Sequence, residues 1–227
     1  MLRGIFFLVT SFARMRTMKT VIWDYNGTIL DDLDICLQIE NEMLKERNMP
    51  AWPVDRETYL DHFGFPVIDY YYYIGYTFET ETYDDISVEF NERYDELFAG
   101  ARLMPEFLPA IRRSVASGNR NVILSACQHD KLIRQCRELG IEQYFDEVLG
   151  IDNLLAGSKT EMALAWLERS KTDPDTCLYL GDNLHDLDTA RALGVKDCIL
   201  IASGHQSMKV LKGGYERVVS SLDEVEL

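Results

Sequence analysis

Short apolar runs alternate with amphipathic stretches along most of the chain. Buried strands of a parallel sheet have this continuous apolar character, because helices cover both faces of the sheet. Five runs predict such strands: TVIWD, NVILSA, DEVLGI, CLYLGD and DCILIAS. Apolar residues spaced three or four apart predict helices in DKLIRQCRELG, KTEMALAWLERS and HDLDTARALG. The alternation predicts an α/β fold with a doubly wound, Rossmann-like parallel sheet.

The segment between the first and second predicted strands has a different pattern. It contains helical patterns and no convincing strand, and its longest patterns are DLDICLQIENEMLKERN and YDDISVEFNERYDELFA. We therefore expect a small helical domain, residues 35–102, inserted into an α/β core formed by residues 18–34 and 103–227. Four consecutive tyrosines, Tyr70 to Tyr73, lie in this insertion. At least two of them must point away from any one pocket, and we expect packing rather than substrate recognition.

Residues 1–17 are predicted to be an N-terminal extension. The stretch GIFFLV resembles the apolar part of a signal peptide, but it is too short to span a bilayer and no small-residue cleavage site clearly follows it. We favour a start at Met18 or Met15, because MKTVIWD runs straight into the first predicted strand.

Charge and cysteine content narrow the possible functions. Lysine and arginine total 23 against 38 acidic residues in a chain of 227, a formal net charge of −15. Such a surface repels polyanions, so we expect no nucleic-acid partner and, with no bilayer-spanning stretch, no membrane partner. The five cysteines form no CxxC pair, which favours reduced thiols and a cytoplasmic location over disulfides or a zinc site. A monomer or a homodimer is expected.

Polar residues follow several predicted strands. The first strand ends in Asp24, the second in Ser125, and the fourth in GDNLHD, which contains Asp182 and Asp186. Lys159 opens the helix before the fourth strand. A single carboxylate at a strand end is commonly a helix N-cap, but several polar groups in this order indicate a site. In an open parallel sheet, ligands bind beyond the carboxyl ends of the strands, where the strand order reverses.

These residues resemble the motifs of the haloacid dehalogenase superfamily. DYNGT is similar to the D-x-D-G-T motif, GDNLHD to the G-D-x-x-x-D motif, and Ser125 and Lys159 to the hydroxyl and lysine of the two motifs between them. The insertion resembles the helical C1 cap, and GIEQYFDEVLG and GDNLHDLDTARALGV resemble the phosphoglycolate phosphatase-like branch. The resemblance covers about residues 18–227. It implies a Mg²⁺-dependent phosphatase acting on a small phosphorylated metabolite, with glycolate specificity as an expectation of the branch.

The resemblance also implies a nucleophile and a metal site. Asp24 would attack phosphorus and form an aspartyl-phosphate. Mg²⁺ prefers oxygen ligands and keeps several waters. The ligands implied are Asp24, Asp182 and the main-chain carbonyl of Asn26, with Asp186 close to the metal or bound to it through water.

Other residues would hold the phosphate. Lys159 and Ser125 would contact the phosphoryl oxygens and compensate the transferring charge. Gly27 lets the backbone turn tightly enough to present N–H groups to the phosphate. The expected catalytic residues are thus Asp24, Asn26, Ser125 and Lys159, and the expected substrate-binding residues are Gly27, Thr28, Ala126 and the cap residue His62.

Asn26 departs from the family pattern. In the family, an aspartate at this position protonates the leaving oxygen and then deprotonates the attacking water, and an amide performs neither step. General acid–base assistance is worth ~10²–10⁴-fold. We therefore expect slow hydrolysis of alkyl phosphates unless His129, His185 or His62 carries the protons, and the smallest loss for substrates with good leaving groups.

Four interpretations remain open. The first is a phosphatase with a substitute proton carrier, and the second is an enzyme acting on an activated phosphate or a phosphonate. Phosphonate-cleaving relatives use a cap lysine, which YLDHFGF lacks, and dehalogenases do not need the metal that the acidic pair of GDNLHD favours. The third is a slow or inactive relative that binds a phosphorylated ligand or a protein. The fourth, a phosphotransferase, fits Asn26 poorly, because it keeps the usual proton transfer.

Overall fold

A computed structural model describes residues 18–152 and 159–227. The predicted N-terminal extension and the alternative start at Met15 lie outside the described residues. Within the described residues, no helix combines the length and the apolar character that crossing a membrane requires.

The described residues form alternating strands and helices. In chain order the strands are β1 (Thr20–Trp23), β2 (Leu30–Asp31), β3 (Arg102–Leu103), β4 (Arg120–Gln128), β5 (Glu147–Ile151), β6 (Cys177–Gly181), β7 (Asp197–Ile201) and β8 (Val218–Val219). The α-helices are α1 (Leu33–Glu46), α2 (Arg56–His62), α3 (Val67–Tyr73), α4 (Tyr83–Leu97), α5 (Phe107–Ala116), α6 (His129–Glu138), α7 (Thr160–Ser170), α8 (Leu184–Ala192) and α9 (Met208–Gly214).

Six of the strands form one parallel sheet in the order β5-β4-β1-β6-β7-β8. The five predicted strands are all present, and the predicted α/β fold is confirmed. β8 was not predicted, because a two-residue strand leaves no apolar run to detect. The chain runs from β1 first to one side of the sheet, through β4 and β5, and then to the other side, through β6, β7 and β8. The strand order therefore reverses at β1.

Both faces of the sheet are covered by helices. Alternate residues of β1 enter two apolar clusters: Trp23 packs with Phe107 of α5, and Ile22 belongs to the cluster that contains Trp166 of α7. These side chains are at most 1% exposed. Successive residues of a strand point to opposite faces, so a strand between two helical layers is apolar throughout.

Helices α1 to α4 lie between β2 and β3. These two short strands pair with each other in antiparallel register, Leu30 opposite Leu103 and Asp31 opposite Arg102. The pairing holds together the two points at which the chain leaves and rejoins the α/β core. Helix α4 begins with a capping box in which Thr82 and Asp85 bond each other's backbone N–H groups, and it packs against α1. We call residues 33–100 the helical segment.

Candidate active site

The predicted polar residues meet at the carboxyl ends of β1, β4 and β6, where the strand order reverses. Asp24 directly follows β1, and Asp182 directly follows β6. Ser125 lies in β4. A cavity of about 190 Å³ opens between this edge of the sheet and the helical segment. The site expected from the sequence and the cavity therefore coincide.

Three carboxylates and one lysine lie at the base of the cavity. Asp24, Asp182 and Lys159 line it, and Asp186 lies behind them against Lys159. The Nζ atom of Lys159 donates to Oδ1 of Asp24 and, over 2.6 Å, to Oδ1 of Asp186. Asp24 is 6% exposed, Lys159 2%, and Asp182 and Asp186 are fully buried. We call Asp24, Lys159, Asp182 and Asp186 the carboxylate–lysine cluster.

Backbone groups hold the two carboxylates of GDNLHD in place. The N–H groups of Asp182 and Asn183 each donate to Oδ2 of Asp186 at 3.1 Å. Asn183 caps helix α8 by accepting from the N–H groups of His185 and Asp186. The N–H of His205 donates to Oδ2 of Asp182 over 2.5 Å. The capping box at this strand–helix junction thus holds the side chain of Asp186 close to Asp182.

The cluster carries more negative charge than its lysine compensates. Burial, with the neighbouring Asp186 charge, raises the pKa of Asp24 well above its usual range, although Lys159 opposes this shift. Burial also raises the pKa of Asp182 to about 6. The pKa of Lys159 is raised well above its usual range by Asp186 and Asp24, although burial opposes this. One ammonium group therefore faces three buried carboxylates, and the arrangement favours an additional cation.

A divalent cation fits this donor set. One carboxylate oxygen from each of Asp24, Asp182 and Asp186 lies within 4.8 Å of the other two. All three donors are buried oxygen ligands, the type that Mg²⁺ prefers. The residues present are therefore suited to hold the metal that the sequence motifs imply.

Two glycines allow the backbone to pack closely against the carboxylate of Asp182. Gly27 has a φ of +72°, and a Cβ there would overlap the carboxylate of Asp182 and lie 2.7 Å from Cδ2 of His205. A Cβ at Gly204 would also overlap the Asp182 carboxylate and would lie 2.5 Å from the carbonyl oxygen of Gly27. Both positions therefore require glycine for space, and Gly27 for its conformation as well.

Asn26 belongs to a second buried network, centred on Asp32. Its Nδ2 donates to Oδ2 of Asp32 at 2.7 Å and to the hydroxyl oxygen of Tyr94 at 3.2 Å. The Tyr94 hydroxyl and the N–H of Gly27 also donate to Asp32, over 2.7 and 3.3 Å. Nε2 of His205 lies 3.1 Å from Oδ1 of Asp32. The amide at position 26 is thus matched to a neighbouring carboxylate that accepts its hydrogen bond.

Asp32 and His205 form a buried ion pair. Burial alone would lower the pKa of His205, but the Asp32 carboxylate raises it to about 9. Burial alone would raise the pKa of Asp32, yet the His205 charge and the hydrogen bonds to His205, Tyr94 and Asn26 lower it. With a pKa of about 9, the His205 ring is an imidazolium cation at neutral pH. Asp32 was not predicted as a site residue, and His205 could not be distinguished from a loop histidine.

The structure brings most of the predicted site residues to the cavity. Ser125 is 1% exposed, and its Oγ accepts from the N–H of Cys127 at 3.0 Å. Thr28 is also 1% exposed, and its Oγ has no hydrogen-bond partner among the described residues. The predicted residues that line the cavity are Asp24, Asn26, Ser125, Ala126, Lys159 and Asp182. Gly27 and Asp186 lie behind this lining, against the residues that form it. Thr28 is not among the lining residues.

The three histidines proposed as proton carriers do not line the cavity. His62 is exposed, bonds the carbonyl oxygen of Thr58 and stacks on the ring of Tyr73 at 4.0 Å. His185 stacks on Phe65, and burial lowers its pKa. His129 begins helix α6, outside the cavity lining. The fourth histidine of the chain, His205, does line the cavity.

The fold is that of a doubly wound α/β protein, and the cluster lies at its switch point, where proteins of this fold bind their ligands. The model of the family described as haloacid dehalogenase-like hydrolase matches residues 21–200, and the chain belongs to this family. The resemblance drawn from the motifs is therefore confirmed, and family membership identifies the protein as a hydrolase.

Individual relatives are distant. The enolase-phosphatase E1 of Schizosaccharomyces japonicus is 30% identical over 122 residues, which cover 51% of this chain and 53% of that protein. The chain thus spans about half the length of that relative. The pyrophosphatase PpaX of Listeria innocua is 21% identical over 189 residues, covering 77% and 79% of the two chains. The structure of a predicted phosphoglycolate phosphatase from Haemophilus somnus matches with a TM-score of 0.67 at 17% identity, covering 90% of this chain and 95% of that chain.

Proposed function

We propose that the protein is a Mg²⁺-dependent phosphatase that hydrolyses a small phosphorylated metabolite through an aspartyl-phosphate on Asp24. The observation that carries the proposal is the carboxylate–lysine cluster at the base of the cavity, in which one lysine faces three buried carboxylates. The relatives named as phosphatases and a pyrophosphatase support the same reaction class. Phosphatases of the superfamily generally use Mg²⁺.

Each group of the cluster has a role in this proposal. Asp24 supplies the nucleophilic oxygen, because its carboxylate lines the cavity. Asp24, Asp182 and the main-chain carbonyl of Asn26 would hold Mg²⁺, with Asp186 nearby, and the bound metal would compensate the charge of the transferring phosphoryl group. Lys159 and the Ser125 hydroxyl would bond the phosphoryl oxygens.

The proton transfers are the weak step of the proposed reaction. Asn26 donates its amide hydrogens to Asp32 and Tyr94, so this side chain positions its neighbours and transfers no proton. Without a general base, hydrolysis of the aspartyl-phosphate loses assistance worth ~10²–10⁴-fold. We therefore expect the second half of the reaction to limit turnover.

Because Asn26 transfers no proton, a second candidate is an enzyme that acts on an activated phosphate. Acyl phosphates and phosphoanhydrides have good leaving groups, so they need little protonation in the first step. If both proton transfers are lost without replacement, the protein would be a slow relative that mainly binds its phosphorylated ligand. PpaX is named as a pyrophosphatase, and a pyrophosphate is an activated phosphate, so this relative is consistent with the second candidate. Glycolate specificity remains an expectation of the family branch.

The domain assignment is part of the proposal. Residues 35–102 would act as the cap, because α1 to α4 cover the cavity opposite the sheet edge. Closing a cap over the phosphoryl group would exclude bulk water from the reaction. Residues 18–34 and 103–227 would form the core. All five cysteines are free, which is consistent with a cytoplasmic location, and we propose a monomer or a homodimer.

The test measures phosphate release from p-nitrophenyl phosphate, acetyl phosphate and a panel of alkyl phosphates, with Mg²⁺ and with EDTA. We expect Mg²⁺-dependent release that Asp24→Asn abolishes. Asp188→Asn is the matched control, because this helix α8 side chain is 70% exposed and outside the cluster. It should retain wild-type activity. Absence of release from every substrate, or equal activity of Asp24→Asn and wild type, would overturn the proposal.

A further inference from the structure

The cavity extends from the carboxylate–lysine cluster into the helical segment, where it meets a further buried carboxylate, that of Glu40. Glu40 of α1 lines this far end and is 4% exposed. One oxygen of its carboxylate accepts a hydrogen bond from the Tyr70 hydroxyl at 2.7 Å. The far end of the cavity therefore presents a carboxyl group, negative when ionised, that is held in place by a tyrosine of α3.

No cation compensates this charge among the described residues. No lysine, arginine or histidine of the described chain lies within 4.0 Å of the Glu40 carboxylate. Besides Lys159, two cations among the described residues line the cavity, and each already has a carboxylate partner. Lys131 is 6% exposed and bonds Asp95 at 2.9 Å and Asn91 at 3.1 Å. His205, whose ring lies 5.9 Å from Tyr59 and 5.5 Å from Phe63, is paired with Asp32 at 3.1 Å. A buried carboxylate without a cationic partner is costly. Burial accordingly raises the pKa of Glu40 to about 7, although the bond from Tyr70 opposes this shift.

Aromatic rings line the same cavity as this carboxylate, and one of them, Tyr70, bonds it. Tyr59 stacks on Phe63 with 4.9 Å between ring centroids, and Tyr70 meets each of these rings edge to face at 5.5 Å. Tyr71 continues the wall 6.4 Å from Tyr70. All four rings line the cavity. Faces of aromatic rings attract cations, most strongly where water is excluded.

We propose that this end of the cavity is an ammonium site, and that the substrate is a phosphate monoester whose other end carries an ammonium group. Glu40 would compensate the positive charge, and the rings of Tyr59, Phe63, Tyr70 and Tyr71 would enclose the ammonium substituents. The assignment of the phosphate end rests on the proposed function, whereas the ammonium end rests on Glu40 and the rings. A cavity of about 190 Å³ is below the size of drug-sized sites and limits the substrate to a small metabolite.

Charge complementarity gives this substrate a single orientation. The phosphate would lie against Lys159 and the carboxylates proposed to bind the metal. The ammonium group would lie against Glu40, which no cation of the described residues approaches within 4.0 Å. A substrate with a carboxylate at its far end would bring a second negative charge toward Glu40. The charges of the cavity therefore select against acidic phosphometabolites as well as for amino-alcohol phosphates.

Binding to the metal-free protein tests the ammonium site without any turnover. Calorimetry compares choline with 3,3-dimethylbutanol, which has the same shape and no charge. We expect choline to bind at least about tenfold more tightly to the wild type. Glu40→Gln should reduce this preference to below about twofold. Glu42→Gln, an exposed position on the same helix, should leave it unchanged.

Equal affinity of the two alcohols for the wild type, absence of choline binding, or an unchanged preference in Glu40→Gln would overturn the proposal. A cooperative thermal unfolding transition shows that Glu40→Gln is folded. If that variant does not fold, the wild-type comparison of choline with 3,3-dimethylbutanol still decides the charge preference.

Turnover with Mg²⁺ then separates this inference from the proposed function. The substrates are choline phosphate, ethanolamine phosphate and the neutral 3,3-dimethylbutyl phosphate, and we expect kcat/KM to be at least about tenfold higher for one of the two ammonium esters. The better ester identifies a quaternary or a primary ammonium group. Hydrolysis of p-nitrophenyl phosphate without any ammonium preference would overturn the inference and leave the proposed phosphatase intact. Charge-dependent choline binding without hydrolysis of any ester would support the ammonium site and refute the phosphatase.

Discussion

The substitution Asn26→Asp would restore the acidic residue of the family motif, but the structure predicts that it destabilises this protein. The amide donates to Oδ2 of Asp32 at 2.7 Å, so a carboxylate at position 26 would face another carboxylate within hydrogen-bond distance. The loss of a hydrogen bond to a charged acceptor costs about 1.5–3 kcal/mol. Two like charges 4 Å apart add about 4 kcal/mol of repulsion at an effective dielectric constant of 20, before the side chains move apart.

Movement of the side chains and protonation of one carboxyl group relieve part of this repulsion. We therefore expect Asn26→Asp to lower the free energy of unfolding by about 2–4 kcal/mol at pH 8, which is less than the sum of the two terms. Urea denaturation measures this loss. Gln38→Glu is the matched control, since it makes the same amide-to-carboxylate change beside a carboxylate, Glu42, at an exposed position. Surface substitutions of this kind usually change stability by about 0.5 kcal/mol or less. If Asn26→Asp lowers the free energy of unfolding by no more than this control does, the predicted repulsion between positions 26 and 32 is refuted.

A double-mutant cycle isolates the contact between the two side chains. Asp32→Asn alone removes the charged partner of His205 and is also expected to destabilise the fold. The variant Asn26→Asp/Asp32→Asn restores an amide beside a carboxylate, so its loss should be smaller than the sum of the two single losses by about 1.5 kcal/mol or more. Additivity within about 0.5 kcal/mol would show that the two positions do not interact in this way.

Three further predictions concern rate, pH and metal. Asn26→Asp should raise kcat/KM for alkyl phosphates more than for aryl phosphates, because kcat/KM reports the transfer to Asp24, in which alkyl leaving groups depend on protonation; equal gains in kcat/KM would contradict this. The rise in the pKa of Glu40 from 4.5 to about 7 means that the folded protein holds a proton that the unfolded chain releases. The free energy of unfolding should therefore fall by up to about 3 kcal/mol as pH rises from 4.5 through 7. In urea titrations Glu40→Gln should lack this pH-dependent contribution, and parallel pH profiles of the two proteins would contradict the prediction. Mg²⁺ affinity measured by calorimetry should weaken as pH falls below about 6, because Asp182 must then lose a proton to bind the metal; a flat affinity between pH 5 and 8 would count against its role as a ligand.

The strands that position the site could be predicted because each is a continuous apolar run between two helical layers. The paired strands β2 and β3 could not, since two residues each carry no periodicity. They nevertheless fix the junction between the core and the helical segment. Local patterning thus predicts long buried elements and misses short elements whose pairing depends on distant parts of the chain.

The side chains that the sequence did not identify are those whose role depends on tertiary contacts. Asp32 stands where a helix N-cap is expected, yet its carboxylate makes no capping bond to α1 and instead accepts from Asn26, Tyr94 and His205. Glu40 lies on the buried face of α1 beside Ile39. A glutamate within the apolar face of a helix is a signal that pattern analysis can detect, whereas the contacts of Asp32 depend on residues far apart in the chain.

The most direct test of the account is whether phosphate becomes attached to Asp24 and stays there. The protein is mixed with substrate and Mg²⁺, quenched in acid within the first turnovers, and reduced with borohydride, which converts an aspartyl-phosphate into homoserine. Because Asn26 offers no base for the second step, the account predicts that peptide mass spectrometry finds homoserine at position 24 in a large fraction of the wild-type protein, and in a smaller fraction of Asn26→Asp. Rapid phosphate release without any modification of Asp24, or modification at another residue, would contradict it.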